Sequence, residues 1–169
     1  MIIKITGICL IIICCFLSGI KASDRLKRYC ESCNMLEEFL NRISIMIRYR
    51  NLNVYSIISE LKKSESLSGL EFIKNLPDEY EDSAESFSDL WCRAIISDNG
   101  IGDEEKSLLI SFGEKFGSSD ISGELSGIEM LMENIRITGE KRRREYEKKG
   151  RLYRSAGLLA GVMTGILIL

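Results

Sequence analysis

Hydrophobic residues are concentrated at the two ends of the chain, and nearly all charged residues lie between them. The first apolar stretch, Ile2 to Ile20, contains one charged residue, Lys4, and is close to the ~20 residues that a helix needs to cross a bilayer. The second, Leu152 to Leu169, contains one charged residue, Arg154, whose long side chain can reach a membrane interface. The pattern predicts one transmembrane helix at each end.

These two predicted helices, residues 1–21 and 152–169, enclose a predicted domain at 22–151. Basic residues flank both helices on the domain side: Lys21, Arg25, Lys27, Arg28, Lys141, Arg142, Arg143, Arg144, Lys148, Lys149 and Arg151. Because Lys and Arg are retained on the cytoplasmic side of a membrane, both sets place the domain in the cytoplasm. The expected protein is a two-pass integral membrane protein with both termini outside.

A cleaved signal peptide is the alternative for the N-terminal stretch, since Lys4 precedes an apolar run that ends near small residues. Cleavage after Ala22 would put Ile20 at the minus-three position, where a small residue is expected. The apolar run is also longer than the core of most signals. We therefore expect an uncleaved anchor.

Hydrophobic positions between the two ends follow helical spacing. A heptad stripe marks a long helix from Ser23 to Arg50: Leu26, Tyr29, Cys33, Leu36, Leu40, Ile43 and Ile47. Asn53 can cap a second helix, and a third runs from Ser68 to Leu76 before Pro77.

Three further helices are predicted after the acidic loop from Pro77 to Asp82. One begins near Ser83, one is capped by Asp103 and ends at Gly117, and the last begins around Asp120. Their core-facing positions include Phe87, Leu90, Trp91, Ala94, Ile95, Leu108, Leu109, Phe112, Phe116, Ile121, Leu125, Ile128, Leu131, Met132 and Ile135. The fold expected is all-α: a bundle of about six cytosolic helices between two transmembrane helices.

Charge is sorted along the chain, although the net charge is only −2. Residues 51–135 carry 6 basic against 18 acidic side chains, whereas residues 136–169 carry 9 against 3. Such an acidic middle disfavours nucleic-acid binding. It is either an ordinary solvated surface or a surface for a basic protein partner, with seven candidate residues: Asp78, Glu79, Glu81, Asp82, Asp103, Glu104 and Glu105.

Residues that support catalysis are scarce. The sequence contains no His, which removes the commonest general base and metal ligand, and it contains no phosphate-binding loop. Cys30 and Cys33 have the spacing of a redox or half-zinc motif, but they lie in the heptad helix, and Cys92 is the only other cysteine of the predicted domain. We expect no catalytic residue, cofactor or metal, and hence no enzyme.

Three glycines, Gly157, Gly161 and Gly165, are spaced four residues apart in the C-terminal stretch and therefore share one helix face. Such a face allows another helix backbone to approach closely. The partner is either the N-terminal helix, at Gly7 and Ser18, or another subunit, which makes a homo-oligomer an open alternative. Tolerance of glycine by membrane helices is the competing explanation.

Two segments resemble one family, that of stage III sporulation protein AB. They are the run from Leu108 to Asp120, which includes Phe112, Gly113 and Gly117, and the run from Leu152 to Gly161. The N-terminal anchor and Trp91 after an acidic stretch agree with this resemblance. The family usually carries a Gln shortly after the aspartate equivalent to Asp120, where this chain has Gly123 and Glu124.

The resemblance implies a small membrane component of the secretion-like channel complex between mother cell and forespore, required for spore formation. It also implies a domain similar to the inner-membrane platform domains of type II secretion and type IV pilus machines. The implied partners are the stage III AA-type ATPase, other stage III membrane components and membrane lipid. The alternative from the residues is a membrane-anchored enzyme or lipid-handling protein that uses cytosolic carboxylates or cysteines.

Overall fold

The computed structural model describes residues 2–50, 54–77, 86–116 and 120–168. These residues form six α-helices and one 3₁₀ turn, and no strand occurs among them. The helices are α1 (Ile2–Arg50), α2 (Val54–Lys62), α3 (Glu71–Lys74), α4 (Phe87–Ser97), α5 (Asp103–Gly113) and α6 (Ile121–Ile168), with the 3₁₀ turn at Glu65–Leu67. The all-α prediction is confirmed.

The terminal segments are not separate helices as predicted, because they continue into α1 and α6. No proline stands near Lys21 or Arg151 to end a helix there, and Gly19 and Gly150 lie within the continuous helices. Among the described residues, no helix combines the length and the hydrophobicity required to span a bilayer.

The chain divides into two compact units, and α1 and α6 contribute residues to both. The terminal unit consists of Met1–Cys30 and Lys141–Leu169, and the central unit consists of Glu31–Glu140. The predicted boundaries at residues 21/22 and 151/152 stay a prediction.

The core of the central unit is formed by the predicted stripes. Cys33, Leu36, Leu40 and Ile43 are fully buried, as the heptad pattern predicts. Phe39 is buried with them, although it lies outside the a and d positions. A helix that is covered on several sides buries more than the narrow seam of a two-stranded coiled coil.

Helix starts differ from the prediction in places. Gly102 rather than Asp103 is the N-cap of α5, and Asp103 is its first helical residue. Helix α4 begins at Phe87 behind a capping box made by Ser86 and Asp89, while the predicted start near Ser83 and the Asn53 cap lie outside the described residues.

The predicted third helix is reduced to the four residues of α3, preceded by the 3₁₀ turn. A buried aspartate connects this short helix to the next turn. Asp98 Oδ2 accepts a hydrogen bond from the Phe72 backbone N–H at 2.9 Å, and Oδ1 accepts one from Gly100 N–H at 2.7 Å. The N–H groups of the first turn of a helix have no acceptor within that helix. Asp98 supplies the acceptor for one of them in α3.

Candidate functional site

Glycines line the contact between α1 and α6 within the terminal unit. A Cβ atom added to Gly157 would lie 2.7 Å from the Cys15 carbonyl oxygen, and one added to Gly161 would lie 3.0 Å from Ile12 Cα. On α1, a Cβ on Gly19 would lie 2.5 Å from the Tyr153 carbonyl oxygen. At Gly157 and Gly19 a side chain would force the two backbones apart, whereas at Gly161 a shift of a few tenths of an ångström would make room for one.

Two of the three predicted glycines of the C-terminal stretch, Gly157 and Gly161, face α1. The surroundings of Gly165 lie outside the described residues. On α1 the small residue opposite Gly157 is Gly19, whereas Gly161 faces Ile12 and Cys15. Gly7, one of the two predicted contacts, has nothing within 4 Å of an added Cβ. Gly19 was missed because the register of the two helices, which the spacing does not determine, decides which small residue of α1 meets α6.

Large apolar side chains cover the outward faces of the same two helical segments. The exposed ones are Leu10, Ile13, Phe16, Leu17, Leu152, Tyr153, Leu158, Leu159, Val162, Met163 and Ile166. Soluble monomers rarely expose so many large apolar residues next to one another. In these two segments, glycines therefore lie between the helices and large apolar side chains lie on the exposed faces.

The predicted acidic surface is only partly present. Asp103 and Glu104 are exposed in the first turn of α5, but Glu105 is fully buried, so its assignment to a surface was wrong. The next residue of a helix is rotated by about 100°, which turns Glu105 inward. There it accepts a hydrogen bond from Cys33 Sγ at 3.4 Å. Asp78, Glu79, Glu81 and Asp82 lie outside the described residues.

Trp91 is the centre of the central unit's core. Its Nε1 donates a hydrogen bond to the Leu109 carbonyl at 2.8 Å, and five phenylalanine rings have centroids 5.7 to 6.2 Å from it: Phe39, Phe72, Phe87, Phe112 and Phe116. Gly113 lies against the same ring, and a Cβ at this position would overlap it.

The residues singled out by the family resemblance thus have structural roles where they are described. Trp91, Phe112 and Gly113 pack together between α4 and α5. Asp120 is exposed and caps α6 by accepting a hydrogen bond from Gly123 N–H at 3.0 Å. Gly117 lies outside the described residues.

An apolar groove between α5 and α6 was not predicted. It has a volume of about 160 Å³ and lies among Leu108, Ser111, Phe112, Lys115, Gly123, Glu124, Gly127, Met130, Leu131 and Asn134. Met130 at its edge is 68% exposed. The spacing of Gly123, Gly127 and Met130 puts them on one face of α6 and could have indicated a groove, because the two glycines leave space beside α5.

The described residues contain no cluster of three or more potential metal ligands. Cys33 is buried and Cys30 is half-buried in α1. The Cys33 thiol faces a carboxylate rather than a second thiol.

Comparison with protein families gives a match to the model described as stage III sporulation protein AB, over residues 4–169. Neither the curated proteins nor the solved structures give a match. The family match covers nearly the whole chain and supports a role in sporulation. The chain belongs to the stage III sporulation protein AB family.

Proposed function

We propose that this protein is a non-enzymatic membrane platform of the channel complex between mother cell and forespore, and that its central unit docks a cytosolic ATPase. The observation that carries the proposal is the construction of the terminal unit, with glycines between its helices and large apolar side chains outside. In lipid, helices gain nothing by hiding apolar surface and associate instead through close backbone packing at small residues. Both features suit a helix pair in a bilayer.

The orientation proposed is both termini outside and the central unit in the mother-cell cytoplasm. Its support is the charge that follows the first apolar stretch and precedes the second, because Lys and Arg near membrane helices are retained on the cytoplasmic side. Both ends give the same orientation.

The docking role is supported by charge and by the resemblance to platform proteins. The central unit carries 22 acidic and 10 basic side chains, which suits a basic partner surface. A phosphate-binding loop is absent from the sequence, so energy from nucleotide hydrolysis would come from a separate protein. The proposed partners are the stage III AA-type ATPase and other stage III membrane components.

The helix pair can be tested with a disulfide. A Cβ at position 161 would lie 3.3 Å from Cys15 Cβ, near the separation found in disulfides. Gly161→Cys should therefore cross-link to Cys15 when membranes of sporulating cells are oxidised, and the product should stay in the pellet after alkaline carbonate extraction. Val162→Cys, which is outward-facing, is the control. Release of the protein by carbonate would contradict the membrane proposal.

The docking role can be tested by photo-cross-linking from three positions in the full-length protein: Asp103, Glu104 and Met130. The first two probe the exposed acidic turn of α5, and Met130 probes the groove. We expect capture of the stage III AA-type ATPase from the acidic turn. The double change Asp103→Lys and Glu104→Lys should abolish capture and lower spore counts.

Glu65→Lys with Glu71→Lys is the matched control, because both residues are exposed acidic side chains in first helical turns. This control should retain both capture and sporulation. If no position captures the ATPase in cells that sporulate normally, the docking proposal is wrong.

A further inference from the structure

A dense group of basic side chains occupies the end of the terminal unit beside its apolar surface. We name residues 21–28 of α1 and 141–151 of α6 the basic collar. These two segments hold 11 Lys and Arg residues against 3 Asp and Glu residues. An excess of this size creates a strong local attraction for anions.

The two segments of the collar lie side by side because α1 and α6 are antiparallel here. Gly19 packs against Tyr153, and a Cβ on Gly150 would lie 3.3 Å from Ser23 Oγ. Further along, the Arg142 guanidinium lies 5.4 Å from the centre of the Tyr29 ring. The collar is therefore one surface contributed by both helices.

The collar begins where the apolar surface ends. On α1 the exposed Leu17 is four residues before Lys21, and on α6 the exposed Leu152 directly follows Arg151. One turn of helix rises only about 5.4 Å, so cationic and apolar side chains are immediate neighbours on both helices. A ligand that is anionic at one end and apolar at the other matches this arrangement.

Carboxylates within the collar neutralise only part of its charge. Arg143 is paired with Glu147 at 3.2 Å, and Lys149 lies 3.7 Å from Glu145. By contrast, four exposed residues take part in no ion pair between described side chains: Lys21, Arg28, Lys148 and Arg151. These four are available to an external anion.

Tyr29 orients two further guanidinium groups. Arg25 donates from Nε to the Tyr29 hydroxyl at 2.9 Å, and its guanidinium carbon lies 5.5 Å from the ring centre. Arg142 approaches the same ring at 5.4 Å. The neutral ring holds the Arg25 guanidinium by cation–π attraction without cancelling its charge, so its remaining donors stay suited to a phosphate. Arg142 differs, because its guanidinium also lies 3.8 Å from Glu145.

We propose that the basic collar binds the phosphate headgroups of anionic phospholipid, with the acyl chains lying against the adjacent apolar surface. The inference rests on the proposed membrane function and extends it from a bilayer in general to a preference for anionic lipid. Phospholipid is favoured over nucleic acid because the collar adjoins apolar side chains on both helices, whereas a nucleic acid would gain nothing from them.

The test is a titration of the full-length protein, purified in a neutral detergent, with four probes: dioleoylphosphatidylglycerol, dioleoylphosphatidylcholine, inorganic phosphate and a single-stranded oligonucleotide. The melting temperature is followed by circular dichroism, since a ligand that binds the folded state raises it. We expect phosphatidylglycerol alone to raise the melting temperature, and high salt to remove the effect.

The collar variant replaces Lys21, Arg28, Lys148 and Arg151 with Gln. The control variant replaces four exposed basic residues of the central unit, Lys63, Lys74, Arg93 and Lys115, with Gln. Because each basic residue at an anionic surface strengthens binding several-fold, the collar variant should bind phosphatidylglycerol about tenfold or more weakly. The control variant should bind as the unmodified protein does.

Three results would overturn the inference. They are equal responses to phosphatidylcholine and phosphatidylglycerol, an equal response to phosphate or to the oligonucleotide, and equal weakening in both variants. The carbonate extraction described above tests the membrane function independently of the lipid titration. A protein that resists extraction but shows no lipid preference keeps the membrane function and loses the collar, and the converse result keeps the collar alone.

Discussion

The two units of this protein pack their helices in opposite ways. In the terminal unit, Gly19 and Gly157 bring two backbones together, and the large side chains point outward. In the central unit, Trp91 and its surrounding phenylalanines fill the space between helices. Aromatic burial is strongly favourable only when the alternative is water. The contrast is one of packing: the terminal unit brings backbones close together, and the central unit fills its interior with side chains.

The two units also differ in the sign of their net charge. The terminal unit carries 13 basic and 3 acidic side chains, whereas the central unit carries 10 basic and 22 acidic ones. An anionic surface attracts a basic segment and repels an acidic one. Packing and charge are independent properties, and both distinguish the same two sets of residues.

The largest expected effect is the loss of the central aromatic ring. Trp91→Ala should lower the free energy of unfolding by about 3–5 kcal/mol, since it removes a fully buried ring and leaves a cavity. Urea unfolding of the full-length protein, followed by circular dichroism, measures the change. Phe16→Ala in the terminal unit is the control and should have little effect, because Phe16 is exposed. Similar losses from both would erase the contrast between the units.

A smaller effect is expected from overfilling the same core. Gly113→Ala places a methyl group inside the space of the Trp91 ring and should cost about 1–3 kcal/mol. Gly127→Ala is the matched control, because its added Cβ would lie 4.0 Å from Phe112 Cε2, an ordinary contact. The control should be neutral or slightly stabilising, as alanine favours helix over glycine. Equal costs at both positions would refute the packing argument.

Overfilling the terminal unit should have a milder consequence. Gly157→Ala should weaken the pairing of α1 with α6 by on the order of 1 kcal/mol, because two helices can separate slightly where a closed core cannot. The yield of the disulfide between Cys15 and Gly161→Cys measures the pairing. Gly7→Ala is the control, since nothing lies within 4 Å of its added Cβ. An unchanged yield in Gly157→Ala would mean that the glycines are not needed for the contact.

The smallest effect concerns a surface network of the central unit. Ser66 Oγ donates a hydrogen bond to the Glu38 carboxylate at 2.6 Å, and Arg42 donates another at 2.7 Å. Both hydrogen bonds favour the ionised carboxylate and therefore lower the pKa of Glu38. A lowered pKa contributes stability above the unfolded-state pKa, and this contribution is lost as pH falls through the folded-state pKa. Ser66→Ala should therefore raise the pKa of Glu38 toward its ordinary value.

Nuclear magnetic resonance titration of the Glu38 carboxyl carbon measures this pKa. Ser68→Ala is a control, because Ser68 is exposed and close in sequence. An unchanged pKa in Ser66→Ala would show that Arg42 alone controls Glu38.

The sequence was sufficient to predict the helical fold and most core positions. Periodicity identifies Leu36, Leu40 and Ile43 because a buried helix face repeats along the chain. Helix ends were predicted less well: α3 begins at Glu71 rather than Ser68, and its N-terminal Phe72 N–H is bonded by Asp98, which lies 26 residues away in sequence. A contact between distant residues leaves no local pattern.

The candidate sites show the same limit. The glycine spacing predicted the C-terminal half of the helix contact, but the partner Gly19 depends on the register of two helices, which spacing alone does not determine. Glu105 is an acidic residue like its neighbours Asp103 and Glu104, and only the structure shows that its side chain faces inward. The collar was visible as charge flanking the apolar ends, whereas the role of Tyr29 required the positions of Arg25 and Arg142.

Trp91 is the only tryptophan of the chain, so tryptophan fluorescence reports on this one position. Its indole is fully buried and hydrogen-bonded, so its fluorescence emission should be blue-shifted in the folded protein and should move to longer wavelength when the central unit opens. The terminal unit contributes nothing to this signal. The molecule therefore contains its own optical reporter for one unit, by which unfolding of the core can be followed separately from changes in the terminal unit.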